Sequence, residues 1–135
     1  MAGFMGSPPM NMLPGKLVRD GGTFVDAGEL HFPLSKDLAD RLSIEDGHEV
    51  VLGLRPETIF AAGSELPGPD RFIFERPVEA VEPTGPETML VFTVAETEMI
   101  ARVRPQDEAP VGAPFRFEVE MGKAKLFDKA TGVQL

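Results

Sequence analysis

Alternation with a period of two is the feature that most constrains this chain. In Phe115-Arg116-Phe117-Glu118-Val119-Glu120-Met121 the odd positions are apolar and the even ones charged. Such a segment can bury one face only as a strand, because successive side chains of an extended backbone point to opposite sides. The same pattern runs through His48–Leu54, with Val50, Leu52 and Leu54 inward, and through Thr88–Val94 and Thr97–Val103, which Ala95-Glu96 joins as a turn. Phe72–Val81 reads as a further strand, with Pro77 marking an edge or a bulge. Lys16–Arg19 and Thr23–Asp26 flank Asp20-Gly21-Gly22, a hairpin signal, and Leu30, Phe32 and Leu34 share one face beyond it.

One helix is expected. Ser35 can cap it, Leu38 and Leu42 fall on one face, and Glu45-Asp46-Gly47 ends it in a turn. Ala61–Asp70 reads as a loop that could separate two halves of the chain. Short strands spaced by glycine and proline turns, with one short helix, predict an all-β small barrel or sandwich.

Composition removes several function classes. The 135 residues make one domain, or at most two small ones, and suffice to bury a core without staples. Cysteine is absent, which excludes disulfides and thiolate metal sites and fits a reducing compartment. A formal charge of −9 opposes docking on phosphate backbones or anionic lipid. Single-strand binding also needs a basic groove with aromatic platforms, whereas this chain has no Trp or Tyr and its ten phenylalanines sit largely at inward strand positions. No nucleic-acid partner is expected. The apolar opening "AGFMGSPPMNML" has no basic start, and Pro8-Pro9 interrupts it, so it does not read as a signal peptide. No apolar run approaches the ~20 residues that span a membrane.

No phosphate-cradling or dinucleotide motif is present. His31 falls on the polar face of its strand and reads as a surface histidine. His48 opens a strand, and neither has a neighbour at metal-ligand spacing. Glu79, Glu82 and Glu87 cluster in sequence, as do Glu96 and Glu98, but acid–base work needs a cleft that separates their pKa values, and a solvated rim is the simpler reading. Met89, Met99 and Met121 fit strand alternation and read as core or interface filling rather than a ligand groove. No catalytic residue, cofactor or metal is therefore expected in this chain.

Several stretches, taken in order, resemble one family. "GFMGSPPMNML" (Gly3–Leu13) is similar to the segment that follows the nucleotide-binding domain in ATPase subunits of maltose-type sugar importers. "LGLRPETI" (Leu52–Ile59), "VEPTGPETML" (Val81–Leu90) and "KLFDKATGVQL" (Lys125–Leu135) resemble that family's Leu-Gly-[Ile/Leu]-Arg-Pro-Glu, Val-Glu-x-x-Gly-x-Glu-Thr and x-Leu-Phe-Asp-x-x-Thr-Gly stretches. The resemblance implies a C-terminal regulatory region cut from its ATPase domain, with Met1 an added start. Residues 1–13 would be the junction and 14–135 an OB-fold-type transport-associated barrel. It further implies pairing with a second copy, so that the region holds the ATPase dimer together. Contacts with the missing ATPase domain and, in some members, with a cytoplasmic regulatory protein are also implied. The permease subunits would be reached only through the full-length protein, at the inner face of the cell membrane. The transported solutes of the family are mostly sugars and glycerol phosphates.

The motif residues have physical readings beside the family ones. Gly53 lies where a strand side chain would pack and suggests close backbone approach, while Pro56 forces Arg55 to be extended and stops the strand. Arg55 and Glu57 could pair with each other or with a partner domain. Gly85, between Pro83 and Pro86, makes a tight connection that presents Glu82 and Glu87 at a barrel rim. Phe127 reads as a core anchor and Asp128 with Thr131-Gly132 as a terminal turn. Glu82, Gly85, Glu87, Arg55 and Glu57 are the candidate regulatory or interface residues, and a solvated strand end is the alternative for Glu82. The rival to a non-catalytic regulatory and dimerisation region is a transport-associated barrel that binds a small ligand, an oxyanion such as molybdate or a sugar. An independent enzyme is the third reading, and the missing catalytic constellation argues against it.

Overall fold

The computed structural model of the chain describes residues 9–63 and 70–135. Its strands form three antiparallel sheets. The first holds β1 (Asn11–Arg19), β2 (Thr23–Asp26), β3 (His31–Pro33), β4 (Glu49–Leu54) and β11 (Lys125–Asp128), in the order β11-β4-β1-β2-β3. The second orders β5 (Ile59–Ala61), β10 (Pro114–Glu120) and β6 (Arg71–Pro77) as β5-β10-β6. The third is a meander of β7 (Ala80–Pro83), β8 (Thr88–Val94) and β9 (Thr97–Val103). The fold is all-β, with α1 (Lys36–Arg41) as its short helix.

Local chemistry sets most of these elements. The β1–β2 hairpin turns at Asp20-Gly21-Gly22, where Gly21 takes φ +70. The β8–β9 hairpin turns on Ala95 and Glu96 at φ 47 and 70, the paired left-handed geometry that matches strand twist. Ser35 accepts the Leu38 N–H at 3.3 Å and so caps α1, and Leu38 is the helix residue that enters the core.

Alternation sets the core. Leu13, Leu52 and Leu126 stand opposite one another across β1, β4 and β11, and all are fully buried. The three sheets meet on phenylalanine. Phe92 of β8 stacks on Phe117 of β10 with ring centroids 4.3 Å apart, Phe74 of β6 touches both, and Phe32 of β3 meets Phe74 edge-on at 5.7 Å.

Three expectations need correction. Phe127 is not a core anchor: it is half-buried on the side of the sheet opposite to buried Leu126, because it stands next to Leu126 in β11 and faces Val51 across the strands. Phe72–Val81 is not one strand: the chain breaks after Pro77, and β6 and β7 belong to different sheets. Val78, at the break, is fully buried and bonds through its N–H to the Ala113 carbonyl. Glu118 was read as an outward charge but is buried, because the Arg71 guanidinium pairs with its carboxylate, which also accepts the Gly63 N–H at 3.1 Å. Most of the expected Ala61–Asp70 loop lies outside the described residues. Asn11, Met12 and Leu13, read as part of a junction, are the first residues of β1.

Asn11 was not singled out in the sequence, and it joins two sheets. Its side chain donates to the Leu54 carbonyl on β4 and the Ile100 carbonyl on β9, each at 2.9 Å, and accepts the Ile100 N–H at 2.8 Å. It thus substitutes for a neighbouring strand along the free edge of β9. Asn11→Leu is expected to strand the Ile100 and Leu54 groups in a buried place and to lower stability by about 3 kcal/mol, read from urea denaturation.

Candidate interaction rim

Two of the candidate residues, Glu57 and Glu87, meet at β9, while Glu82 lies two strands away on β7. The chain leaves β4 at Arg55 and makes one 3-10 turn over Pro56–Thr58, with Pro56 and Thr58 buried. The Arg55 carbonyl closes that turn by accepting the Thr58 N–H at 2.9 Å and the Thr58 hydroxyl at 2.7 Å. This turn packs against β9. Gly85 occupies the β7–β8 connection at φ +97, a left-handed position suited to glycine. Thr84 locks the same connection, its N–H and hydroxyl each donating to the Glu87 carbonyl at 2.8 Å.

Arg102 ties these pieces together. It projects from β9 between the two loops. Its Nε donates to the Glu87 carboxylate at 2.9 Å, with Nη2 on the same oxygen, and its Nη1 lies 3.5 Å from Glu57. Glu57 and Glu87, thirty positions apart by number, therefore share one guanidinium. Of the two alternatives for Arg55 and Glu57, pairing with each other is not seen, since Glu57 turns to Arg102. Arg55 is exposed, and its side chain has no ion-pair partner among the described residues. Glu82 lies exposed on β7, opposite Met89, which in turn stands opposite Arg102, so the three share the outer face of the sheet. The sequence marks Arg102 only as a cation on the polar side of the Thr97–Val103 alternation, which does not set it apart from a solvated one.

Away from this rim, Gly53 is closely approached by side chains rather than by another stretch of backbone. A Cβ there would come within 2.5 Å of the Met10 sulfur and 2.8 Å of the Phe127 ring. His31 is exposed and sits 3.3 Å from Asp26. His48 is half-buried and holds Asp128 at 2.5 Å, and Asp128 also accepts the Thr131 N–H and hydroxyl, forming the expected terminal turn. The His48 bond, followed by the Thr131 bonds, holds the Asp128 carboxyl below its ordinary value of 3.8. A cleft of about 640 Å3 between α1 and β11 is lined by Asp37, Asp40, Arg41, Asp70 and Lys125, with no aromatic platform among the described residues. No group of three or more potential metal ligands occurs among the described residues.

A family model described as the MalK OB fold domain matches residues 6–59. Along its length the chain is similar to ATP-binding subunits of sugar importers. It is 33% identical to the trehalose/maltose import ATP-binding protein MalK of Thermococcus litoralis, over 98% of this chain and 36% of that protein. It is 36% identical to the sn-glycerol-3-phosphate import ATP-binding protein UgpC of Cereibacter sphaeroides, over 100% of this chain and 34% of that protein. With the oligosaccharides import ATP-binding protein MsmX of Bacillus subtilis the identity is 28%, over 100% of this chain and 37% of the relative. The chain thus spans about a third of the length of the curated relatives it matches. Among solved structures, the molybdate-bound form of the cytoplasmic molybdate-binding protein ModG superposes with a TM-score of 0.64. That match has 17% identity and covers 96% of this chain and 99% of the other, a likeness of fold. No helix among the described residues is long and apolar enough to cross a membrane.

Arg102→Ala should loosen the Pro56–Thr58 turn and the β7–β8 connection together, lowering stability by about 1 kcal/mol in urea denaturation, because the ion pairs are partly solvated. Asp128 supports a pH test. A carboxyl held low in the folded state adds stability above its ordinary range and loses that contribution as pH falls through the lowered value. Asp128→Asn should therefore melt at a lower temperature than the parent at neutral pH, and the two melting temperatures should converge on acidification.

Proposed function

We propose that this chain is the non-catalytic regulatory and dimerisation region of an importer ATP-binding subunit, working at the inner face of the cell membrane. The observation that carries the reading is coverage: similarity runs over all or nearly all of this chain but over only about a third of each relative. A part shared among importers named for different solutes has no reason to choose the solute, and the described residues bring together no catalytic constellation. Two copies are proposed to pair about a two-fold axis and to keep the ATPase domains of one transporter together.

The rim is the proposed contact for a cytoplasmic regulator. Gly85 and Glu87 lie on, and Glu82 just before, a connection that proline, glycine and the Thr84 bonds have already ordered, and Arg102 fastens it to Glu57. A contact surface ordered in advance loses little entropy on binding.

The tests separate the two roles. In the full-length subunit, Glu82→Lys should weaken inhibition by the regulator while basal transport survives, with folding changed by less than about 0.5 kcal/mol as expected for an exposed site. Unchanged regulation would remove Glu82 from the contact. Sedimentation velocity of the 135-residue chain should show a dimer that grows with concentration, and a strict monomer at high micromolar concentration would assign pairing to the ATPase domains. Calorimetric titration with molybdate is the control for the oxyanion alternative, and a saturable heat would favour that reading over regulation.

A further inference from the structure

We propose that Asp20, at the tip of the β1–β2 hairpin, is a site of spontaneous covalent modification, where aspartate rearranges to isoaspartate through a cyclic imide.

The reaction needs no catalyst and no partner other than water. The backbone nitrogen of the following residue attacks the side-chain carboxyl carbon. A C–N bond forms, the amide proton is lost, and one carboxyl oxygen leaves as water, closing a succinimide ring. Water then adds to either ring carbonyl. Opening at the side-chain carbonyl restores aspartate. Opening at the main-chain carbonyl leaves isoaspartate, with the backbone routed through the former side chain. No electron is gained or lost, and the final mass is unchanged. The reaction is favoured by an attacking N–H that is not hydrogen-bonded, a following residue without a hindering Cβ, and room for the backbone to turn.

Two aspartates are followed by glycine, and the fold treats them oppositely. Asp46-Gly47 is restrained at both reacting groups. The Gly47 N–H donates to the Leu17 carbonyl at 2.7 Å, and the Asp46 carboxylate accepts the Arg19 N–H at 2.8 Å. Asp20-Gly21 has neither restraint. Asp20 is exposed, its carboxylate has no hydrogen bond or ion pair among the described residues, and the Gly21 N–H has no acceptor there. The bond inside the loop runs from the Asp20 N–H to the Gly22 carbonyl at 2.9 Å and engages neither reacting group. Gly21 sits at φ +70 with nothing within 4 Å of where a Cβ would stand, so the ring has open space in which to close. The other aspartates precede larger residues. After Asp26, Asp107 and Asp128 the next N–H is also held, by the Leu30, Pro105 and Glu49 carbonyls respectively.

The product falls at a joint. Isoaspartate at position 20 adds a carbon to the main chain between Arg19 and Thr23, the last pair of the β1–β2 ladder. Arg19 also holds the stretch after α1, through its N–H on Asp46 and through Nη2 on the Ile44 carbonyl at 3.2 Å. The rearrangement therefore loosens the hairpin tip and its grip on the helix exit.

Ageing the folded 135-residue chain in warm neutral buffer tests this, with peptide mapping by a protease that cleaves before aspartate and not before isoaspartate. Isoaspartate should form at residue 20 about tenfold faster than at residue 46, the factor for an opening cost of about 1.4 kcal/mol at the bonded Asp46-Gly47 turn. In guanidinium chloride, where both turns are released, the two sites should react at similar rates. In Asp20→Glu, whose ring closure needs one more member, the isoaspartate signal from the hairpin tip should be absent. Equal rates at the two sites in the folded chain would overturn the proposal. So would a position 20 that stays intact while folded and reacts only in denaturant.

Discussion

The stacked contact between Phe92 and Phe117 is the joint on which the molecule depends. Each three-stranded sheet presents its apolar inner face to the other through these rings. Phe74 extends the stack along β6, and Phe32 brings in the five-stranded sheet. Aromatic rings suit this position because they reach across sheets whose backbones diverge and gain from tilted and edge-on contacts. With the three inner faces gathered on one cluster, strand edges are brought close enough for Asn11 to span from β1 to β9.

How much of this was legible depends on the range of the deciding interaction. The β8–β9 hairpin was readable because alternation and turn lie within one stretch, and so was α1, whose cap and buried leucine are three residues apart. Gly53 was readable as a site of close approach, but not as one approached by the Met10 and Phe127 side chains, which come from opposite ends of the sequence. The Phe72–Val81 stretch misled because Val78 keeps an apolar side chain in phase while the backbone changes sheets. Glu118 misled for a different reason. Its neutralising cation, Arg71, is contributed by β6 across a register that alternation alone cannot reveal.

The candidate rim divides in the same way. Gly85 and the proline-bounded connection follow from local backbone chemistry, and Glu82 and Glu87 were found with them. Arg102 was passed over because one arginine on the polar side of a strand looks like any solvated cation. Its significance appears only when the Pro56–Thr58 turn and the β7–β8 connection arrive on either side of it. Asn11 was hidden similarly: an asparagine between methionines in an apolar run gives no sign that its partner lies 89 residues away. In both cases a polar side chain performs long-range joining, for which the sequence carries no period.

The placement of β11 beside β4 has a consequence for how the chain acquires its structure. β4 is flanked by β1, encoded early, and by β11, which appears only at Lys125–Asp128. The stretch matched by the family model ends at residue 59, so that stretch holds four strands of the first sheet and lacks the fifth. During synthesis, β4 must wait with one edge unpaired while more than half of the chain emerges, and closing that gap is a slow, non-local event. Val51 and Gly53 therefore spend the interval on an open ladder edge, the kind of surface that chaperones shield and that neighbouring nascent chains can template.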